Sequence, residues 1–344
     1  MTGTLSPRRI LVVGPAWVGD MVMAQSLFIH LKRAAADVHL DVLAPAWTEP
    51  LLARMPQVDA AITMPLGHGQ FGWGVRRRLG RQLRGAGYQW AIVLPRSWKS
   101  ALVPWWAGVS RRTGYLGEQR WGLLNDIRPL DRSRLPMTVQ RFVALGQDKG
   151  EELPPPVVSP RLQVSASAVE AACARHALDV SGPILILCPG AEYGPAKRWP
   201  PRCFAEVARI FLARDWQVWL LGSEKDAAIA AEIETLCAAP RLHNLAGRTS
   251  LAEAVDLMSL AALVISNDSG LMHVAAALDR PLVAVYGSSD PHFTPPLNDR
   301  SRVVRLGLEC SPCFQRECPL GHLRCLGELR PERVLTAAQA LLSL

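Results

Sequence analysis

The chain has 344 residues, of which 49% are hydrophobic and 20% charged, and its 38 Lys and Arg residues outnumber its 30 Asp and Glu residues to give a net charge of +8. This composition excludes a disordered chain, and the length suits two α/β domains better than one. The basic balance favours nucleic acid, phosphorylated small molecules or an anionic membrane surface as partners. Because no RNA- or DNA-binding motif accompanies the charge, nucleic acid is not predicted as a partner.

The first half of the chain alternates short apolar strands with helical segments, which indicates a parallel sheet covered by helices. Strands are predicted at 9–14, 38–45 and 90–95, and a helix at about 20–34. A basic helix, GWGVRRRLGRQLRGAGY, precedes the last of these strands. The segment 149–165 is rich in Pro and Ser and has little periodicity, so it is predicted to link two domains, 1–160 and 161–344.

The same alternation restarts after the linker. Strands are predicted at 183–190, 216–223, 262–267 and 281–287, with a further short segment at 242–247 and with helices at about 201–214, 225–238, 251–260 and from Ser269. Two consecutive doubly wound halves predict a cleft between them. In open α/β sheets, ligands bind beyond the carboxyl ends of the strands, so the loops there are the places to look for a site.

The amino terminus and the apolar segments indicate the cellular location of the protein. The residues MTGTLSPRRILVVGPAWVGD lead into a strand and contain no small-residue cleavage site, so no signal peptide is expected. No segment reaches the roughly 18 uncharged apolar residues that span a bilayer. The segment 102–109, LVPWWAGV, either packs in the core or lies on an interface. The sequence predicts a cytoplasmic protein that is peripheral to the inner face of the cytoplasmic membrane.

Polar residues interrupt an apolar region at residues 266–287, SNDSGLMHVAAALDRPLVAVYG, where a strand ends and a helix begins. Asp268 or Ser269 is predicted to cap that helix, whose free N–H groups favour an anion. Gly270 permits close approach of a ligand, and His273 lies about one helical turn further on the same side as Ser269. The alternatives for this stretch are a phosphate site and an ordinary helix cap with a buried histidine.

A second loop, CPGAEYGPAKRWP at residues 188–200, places Lys197 and Arg198 just before a helix that begins with proline. The loop is not a P-loop, because G-x-x-x-x-G-K-[ST] is absent. Two adjacent cations at a helix start can nevertheless hold a diphosphate by charge. The alternative is a solvated basic turn.

A third loop, GPAWVGD at residues 14–20, lacks the G-x-G-x-x-G spacing of dinucleotide-binding folds. It puts Asp20 at a helix start, either as a cap or as a general base, with Gly19 permitting close approach. A cationic phosphate site in one domain and a carboxylate in the other suit group transfer from a nucleotide-activated donor. No D-x-D occurs in the chain, so Lys197 and helix N–H groups are expected to stabilise the leaving group without a required metal.

Five stretches of the chain resemble the ADP-heptose:lipopolysaccharide heptosyltransferase family, most closely its heptosyltransferase II branch. They lie between about residue 9 and residue 305 and read ILVVGPAWVGDMVMAQSL, PLGHGQF, SALVPWWAG, PGAEYGPAKRWP and NDSGLMHVAAALDRPLVAVYGSSDPHFTPP. The resemblance implies an inverting α/β glycosyltransferase of GT-B architecture, with two Rossmann-like domains facing a cleft. It implies lipopolysaccharide core synthesis for the outer membrane of a Gram-negative bacterium.

The resemblance also implies the substrates. The carboxyl-terminal domain would bind ADP-L-glycero-β-D-manno-heptose, and the amino-terminal domain would bind the acceptor heptosyl-Kdo2-lipid A. Heptose would be transferred onto the first heptose of the inner core. Heptosyltransferase I, or another ADP-heptose transferase of the family, is the alternative.

Individual residues match the motifs of the family. The aspartate of its GD motif, the proposed catalytic base, falls on Asp20, and its donor-phosphate lysine falls on Lys197. The donor-binding set further comprises Asn267, Asp268, Ser269, Gly270 and His273, which lie in and beside the family's Asp-Ser/Thr-Gly-x-x-His motif. Glu224, which follows the strand WQVWLLGS, is predicted to contact adenosine, with surface solvation as the alternative.

Four basic residues of the first domain are predicted to bind the acceptor: Arg76, Arg77, Arg78 and Lys99. The arginines alternatively form the polar face of an amphipathic helix, which is the usual interpretation of such a run. The phosphate and carboxylate groups of lipid A and Kdo favour the acceptor role. The same cations would also hold the protein against an anionic membrane leaflet.

Four cysteines, Cys310, Cys313, Cys318 and Cys325, cluster around His322 in CSPCFQRECPLGHLRC. C-x2-C followed by further cysteines is typical of a structural zinc site, but the C-x4-C-x6-C spacing is not a standard zinc pairing. The alternative, a thiol-rich surface loop, is preferred. No metal and no required cofactor are therefore predicted.

Two other classes of protein share parts of this pattern. A nicotinamide-dependent oxidoreductase would have a doubly wound fold, but the absent G-x-G-x-x-G and the cationic loop of Lys197 count against it. A nucleotide-sugar-binding protein without activity is the other alternative, since a fold does not fix a function. The presence of both Asp20 and Lys197 counts against loss of activity.

Overall fold

The computed structural model describes residues 8–35, 37–67 and 69–342. The chain divides between Pro160 and Arg161 into two compact units, and this division lies inside the segment predicted as a linker. Each unit contains one six-stranded sheet in which all the paired strands are parallel. Residues 1–7, with which the amino-terminal segment tested for a signal peptide begins, lie outside the described residues.

The first unit is a doubly wound sheet. Its strands are β1 (Arg9–Val13), β2 (His39–Pro45), β3 (Ala60–Met64), β4 (Trp90–Val93), β5 (Arg111–Tyr115) and β6 (Asp126–Arg128). Its helices are α1 (Val18–Ala34), α2 (Glu49–Leu52), α3 (Trp73–Leu83), α4 (Leu102–Trp106) and α5 (Thr138–Ala144). The strand order β3-β2-β1-β4-β5-β6 changes direction between β1 and β4. Such a reversal opens a crevice beyond the carboxyl ends of the two strands, where doubly wound proteins bind ligands.

The second unit repeats this topology. Its strands are β7 (Ile184–Cys188), β8 (Gln217–Leu220), β9 (Leu242–Asn244), β10 (Leu263–Asn267), β11 (Leu282–Val285) and β12 (Ser301–Val304). Its helices are α6 (Ala166–Arg175), α7 (Pro201–Leu212), α8 (Ala227–Cys237), α9 (Leu251–Met258), α10 (Gly270–Ala277), α11 (Arg324–Gly327) and α12 (Pro331–Leu342). In the order β12-β11-β10-β7-β8-β9, the reversal lies between β7 and β10.

The central strands are buried on both faces. Every residue of β7, β10 and β11 is buried, which explains why these strands are continuous apolar runs without alternation. Trp199, Phe204 and Phe211 are also fully or almost fully buried and pack against the same sheet. The strands of the site are therefore held by a closed apolar core on both sides.

The predicted fold class, a doubly wound α/β architecture, is confirmed, but four strands and six helices lie in segments to which the sequence assigned no element. The unassigned strands are β3, β5, β6 and β12, and the unassigned helices are α2, α4, α5, α6, α11 and α12. The reason is visible in β3 and β12, which are edge strands with exposed residues, and in β5, whose sequence RRTGY is not an apolar run. Of the tryptophan pair in the segment 102–109, Trp106 is buried, as the core alternative expects, whereas Trp105 is exposed and the interface alternative stays a prediction.

Within the described ranges, we find no helix with both the length and the apolar composition that crossing a bilayer requires.

Helices α3 and α4 contact each other at Gly80, and this contact can be tested. A Cβ on Gly80 would lie 2.5 Å from the Cβ of Trp106 and 2.9 Å from the carbonyl oxygen of Val103. We expect Gly80→Ala to lower the free energy of unfolding by about 1–3 kcal/mol, which is the usual cost of overpacking. Urea unfolding followed by circular dichroism measures this change.

Gly74 provides the matched control on the same helix. A Cβ at Gly74 would have nothing within 4 Å, so Gly74→Ala should leave the stability unchanged or raise it by up to about 1 kcal/mol. Equal stabilities of the two variants would contradict the close packing of α3 on α4.

Candidate active site

The candidate site of the second domain lies where β7, β10 and β11 end. Because β10 pairs in parallel with both β7 and β11, the loops that follow the three strands meet at one edge of the sheet. These loops are 189–200, 268–269 and 286–289. They bring together the lysine and the aspartate that the sequence predicted for donor binding.

Lys197 and Asp268 form an ion pair at this edge. Lys197 Nζ lies 2.5 Å from Asp268 Oδ2, and the hydroxyl of Ser289 donates to the same oxygen over 2.5 Å. The side chain of Lys197 is 17% exposed and that of Asp268 only 5%. A pair this buried needs further hydrogen bonds to offset the loss of water around the charges. Ser289 supplies one, and the carboxylate in turn fixes the ammonium group at the strand edge.

A second cation lies beside Lys197. The ring centroid of Tyr193 lies 5.0 Å from Lys197 Nζ and 5.3 Å from the guanidinium carbon of Arg316. The Tyr193 hydroxyl donates to the carbonyl oxygen of Phe314 over 2.7 Å, which fixes the ring. Two cations around one ring give this edge a positive potential that favours an anionic ligand.

Helix α10 begins next to the ion pair, and the predicted cap is confirmed in its position but not in its hydrogen bonding. Ser269 is the cap residue, but its side chain makes no cap hydrogen bond, and its hydroxyl lies 3.2 Å from that of Ser266. The carboxylate of Asp268 is engaged with Lys197 and Ser289 instead. The first-turn N–H groups of α10, starting at the half-buried Gly270, thus gain no side-chain acceptor from the cap and suit a phosphate.

Asn267 has a different position from the one expected of a ligand-binding residue. It is fully buried, its Nδ2 donates to the carbonyl oxygen of Pro189 over 2.7 Å, and its Oδ1 accepts from the N–H of Trp199 over 3.1 Å. Its side chain therefore fastens both ends of the Lys197 loop to the end of β10. We revise its role from contacting the donor to positioning Lys197.

His273 is buried behind the ion pair. Burial lowers its pKa to about 4, against an opposing effect of the nearby Asp268, so the imidazole is neutral at pH 7. The imidazole is buried, as one of the two alternatives for this stretch expects, and the phosphate site remains a prediction. The contact between His273 and the donor also stays a prediction.

The loop after β8 carries Glu224 and an aspartate that the sequence analysis missed. Glu224 is exposed at the start of a short 3-10 helix, Glu224–Asp226. Asp226 is buried, and its Oδ2 accepts from the N–H and the hydroxyl of Ser223 over 3.0 and 2.7 Å. A Cβ on Gly190 would lie 2.2 Å from the Asp226 carboxyl carbon, so glycine is required there. Asp226, Tyr193 and Ser289 all follow strands, which is the signal that would have found them.

The cysteine-rich segment packs against the Lys197 loop. The N–H of Ala196 donates to the carbonyl oxygen of Arg316 over 3.0 Å, and the N–H of Phe314 donates to that of Ser288 over 2.7 Å. The segment thus joins the loops that follow β7 and β11. This role as a brace was not predicted from the sequence.

The four cysteines of that segment are reduced and partly buried. Backbone N–H groups, first that of Leu323, lower the pKa of Cys318, whereas burial and then the neighbouring Cys310 raise the pKa of Cys325. In the part of the chain that the structure describes, no three His, Cys, Asp or Glu side chains are grouped as metal ligands.

In the first domain, Asp20 lies at the carboxyl end of β1. It is the third residue of α1 and is half-buried, and a carboxylate in the first turn of a helix is stabilised by the helix dipole. The loop before it turns tightly, since a Cβ on Gly14 would lie 2.7 Å from the methyl carbon of Met21. Asp20 thus lies at the start of the helix that follows β1, and its role as a base stays a prediction.

The basic residues of α3 divide into two groups. Arg77 and Arg78 are exposed. Arg76 is 7% exposed, and its guanidinium donates to the carbonyl oxygens of Phe71 over 2.7 Å and of Lys99 over 3.3 Å. Burial lowers the pKa of Arg76. We correct the acceptor-binding prediction for Arg76, because its donors are used to hold two loops together, whereas Lys99 is half-buried and donates from Nζ to the carbonyl oxygen of Gln70 over 3.2 Å.

Comparisons with known proteins identify the family and the relatives of the chain. The chain matches the model of glycosyltransferase family 9 (heptosyltransferase) over residues 76–324. It is 48% identical over 348 residues to lipopolysaccharide heptosyltransferase 2 of Salmonella typhimurium, covering 97% of this chain and 99% of that protein. Identity to the Escherichia coli K12 protein of the same name is 47%, with coverage of 97% and 98%. The structure of E. coli ADP-heptose lipopolysaccharide heptosyltransferase II matches with a TM-score of 0.87 at 46% identity and covers 97% and 98% of the two chains.

The buried imidazole of His273 predicts a pH dependence of stability. Since its pKa is about 4 when folded and about 6.5 in the unfolded chain, the unfolded state binds more protons between these values, and stability falls as pH falls through that window. Going from about pH 7.5 to about pH 5 should cost the wild type about 2 kcal/mol more than it costs His273→Gln. Urea unfolding at the two pH values measures the difference.

The control for this measurement is His292→Gln. His292 is exposed in the same domain, so the loss of stability with acid should match that of the wild type. A His273→Gln variant that loses as much stability as the wild type would show that His273 does not titrate as its burial requires.

Proposed function

The chain belongs to glycosyltransferase family 9, the heptosyltransferases, and from this premise we propose that it transfers L-glycero-D-manno-heptose from ADP-heptose onto the first heptose of heptosyl-Kdo2-lipid A. The observation that carries the proposal is the identity of nearly half over almost the full chain to heptosyltransferases 2. Their names favour the second heptosyltransferase over the first. Lys197 and the neighbouring Arg316 supply positive charge for a nucleoside diphosphate donor.

The second domain holds the donor in this proposal. The diphosphate binds Lys197 and the N–H groups at the start of α10, since both offer positive charge at the same sheet edge. When Lys197 pairs with the diphosphate, Asp268 keeps the hydrogen bond from Ser289 and turns its remaining acceptor capacity to the heptose hydroxyls. Glu224, exposed after β8, is assigned to the adenosine.

The first domain holds the acceptor and the base. The carboxylate of Asp20 accepts the proton of the acceptor hydroxyl as its oxygen forms a bond to the anomeric carbon of the donor. The bond from that carbon to the phosphate oxygen breaks on the opposite face, and its electron pair leaves with ADP. The β-linked donor thereby becomes an α-linked product through an oxocarbenium-like transition state. Lys197 and the α10 N-terminus stabilise the charge on the departing ADP.

The acceptor is an anionic lipid, and the surroundings of Asp20 suit it. Arg77 and Arg78 are exposed cations, and Lys99 lies at the adjoining loop. Phosphates of lipid A and carboxylates of Kdo are their expected partners. We assign the protein to the cytoplasmic side of the inner membrane as a peripheral protein, because the lipid anchor of the acceptor is in the bilayer.

The catalytic proposal predicts the effect of Asp20→Asn. The amide cannot accept the acceptor's proton, so ADP release with ADP-heptose and heptosyl-Kdo2-lipid A should fall by about 10²–10⁴ in kcat. ADP-heptose affinity should stay unchanged, because the donor binds to the other domain. A coupled assay of ADP release and calorimetric titration of the donor give the two quantities.

The matched control for Asp20→Asn is Glu49→Gln, which also removes a carboxylate from a helix first turn in the first domain and should retain activity. Full activity of Asp20→Asn would remove Asp20 from the mechanism. Wild-type turnover only with unheptosylated Kdo2-lipid A would move the assignment to the first heptosyltransferase. Binding of ADP-heptose without turnover on either acceptor would contradict the transferase proposal.

The donor assignment predicts that Lys197→Gln binds ADP about 10- to 100-fold more weakly, since a hydrogen bond to a charged group contributes about 1.5–3 kcal/mol. Isothermal titration calorimetry with ADP measures the change. Arg214→Gln removes an exposed cation beyond α7 of the same domain and should bind ADP like the wild type. Equal affinity of the two variants would place the diphosphate elsewhere.

A further inference from the structure

One segment of the first domain concentrates the positive charge of the protein. Between Asp59 and Glu118 the chain contains no Asp or Glu, but it contains nine Lys and Arg residues, one more than the net charge of +8 of the whole chain. The rest of the chain is therefore close to neutral. A charge confined to one segment in this way indicates a local anionic partner rather than general solubility.

The same segment contains a set of aromatic side chains, here called the aromatic cluster: Phe71, Trp73, Trp98, Trp105 and Trp106. Phe71 stacks with Trp73 and Trp98 at centroid distances of 5.9 and 5.8 Å. Trp73 meets Trp106 edge-on at 4.7 Å. Phe71, Trp73 and Trp105 are 44%, 47% and 42% exposed, so nearly half of each side chain faces solvent although Trp106 anchors the cluster in the core.

The backbone under the aromatic cluster is held in place. The guanidinium of Arg76 donates to the carbonyl oxygens of Phe71 and Lys99, and Lys99 Nζ donates to that of Gln70. These bonds tie the loop after β3 to the loop after β4. The exposed rings are therefore ordered before any partner arrives, which lowers the entropic cost of binding.

A groove with three guanidinium groups adjoins the aromatic cluster. Trp73 and the exposed Arg77, Arg78 and Arg81 line it together with Gly74 and Gln82, and its volume is about 490 Å³. Charged groups of one sign beside exposed indole rings match the interface of an anionic bilayer, where phosphates meet the upper acyl chains.

The position of the cluster relates it to the catalytic edge. The loops that carry Phe71 and Trp98 follow β3 and β4, and Asp20 follows β1 in the same parallel sheet. Carboxyl ends of parallel strands lie at one edge. The aromatic cluster and Asp20 are thus at the same edge of the first domain.

We propose that the aromatic cluster and the arginines of the adjoining groove dock the protein on the surface of an anionic phospholipid bilayer. The rings insert at the headgroup level, and the arginines pair with lipid phosphates. The inference rests on the proposed function in one respect, since a lipid-anchored acceptor gives docking its purpose. It adds the aromatic cluster and Arg81 to the cations that the sequence predicted to hold the protein against an anionic leaflet.

The test is co-sedimentation of the full-length protein with phosphatidylcholine vesicles, with and without phosphatidylglycerol. The wild type should sediment only with the anionic vesicles and should stay in solution when no vesicles are present. Arg77→Gln/Arg78→Gln/Arg81→Gln should lower the partition coefficient about a hundredfold, because each cation near the surface contributes about fivefold. Phe71→Ser/Trp105→Ser should abolish the part of the binding that persists at high salt.

Matched controls remove similar groups elsewhere. Arg202→Gln/Arg214→Gln/Arg333→Gln removes three exposed cations of the second domain, and Val180→Ser removes an apolar side chain of that domain that is 51% exposed. Both should bind vesicles like the wild type. A wild type that remains in the supernatant, arginine or aromatic variants that bind normally, or controls that lose as much binding would each overturn the proposal. Thermal unfolding confirms that each variant is folded.

Failure of docking and failure of the proposed function give different results. A wild type that transfers heptose to a detergent-dispersed acceptor but does not sediment with anionic vesicles overturns the docking proposal alone. Sedimentation without transfer overturns the proposed function and leaves the docking surface in place. Sedimentation only in the presence of nucleic acid would assign the surface to that partner.

Discussion

The ion pair between Lys197 and Asp268 is the constraint on which the second domain depends. Two opposite charges with little exposure to water are stable only if neighbouring groups complete their hydrogen bonds. Ser289, in the loop after β11, donates a hydrogen bond to the carboxylate of Asp268. The side chain of Asn267 bonds to both ends of the loop that carries Lys197. The ends of three parallel strands must therefore be in register for the pair to form. This links the fold directly to the chemistry of the site.

The same constraint explains the position of the cysteine-rich segment. Its main chain bonds to Ala196 beside Lys197 and to Ser288 beside Ser289. It therefore holds the residues next to both partners of Asp268 by backbone hydrogen bonds. The segment acts as a brace across two loops that the sheet by itself leaves unconnected. A donor site built in this way is ordered before its ligand binds, which is how charged groups act on a leaving group without reorganisation.

In the first domain, neighbouring arginines of one helix also have different roles. Arg76 points inward and holds two loops, whereas Arg77 and Arg78 on the next positions of α3 point to solvent. A helix turns by about 100° per residue, so neighbours in sequence have different surroundings. One of the arginines is thus structural and the others are free to meet anions, although the sequence presents them as a single run.

The sequence could predict the sheet topology class and the loops of the site because both leave local signals. Continuous apolar runs indicate buried parallel strands, and polar residues after them indicate a ligand edge. The family and the predicted GT-B class of two doubly wound domains follow from longer stretches and are confirmed. Asp20, Lys197 and Asp268 are predicted as site residues in this way.

Long-range partners are what the sequence could not provide. The hydrogen-bond partners of Asn267 are 68 and 78 positions away in the chain. One acceptor of Arg76, the carbonyl oxygen of Lys99, is 23 positions away. The missing cap hydrogen bond has the same origin, because the carboxylate of Asp268 pairs with Lys197 and not with the first turn of α10. Edge strands such as β3 and β12 are missed because their exposed residues remove the apolar signal.

The account divides donor recognition between Lys197 for the diphosphate and Asp268 for the sugar. The most direct test is to measure the dissociation constants of ADP and of ADP-heptose for Asp268→Asn by calorimetry without acceptor. The account predicts that ADP-heptose binds more weakly than to the wild type, whereas ADP binds at least as tightly because a carboxylate no longer competes for Lys197. Equal weakening of both ligands would contradict this division and return Asp268 to a purely structural role.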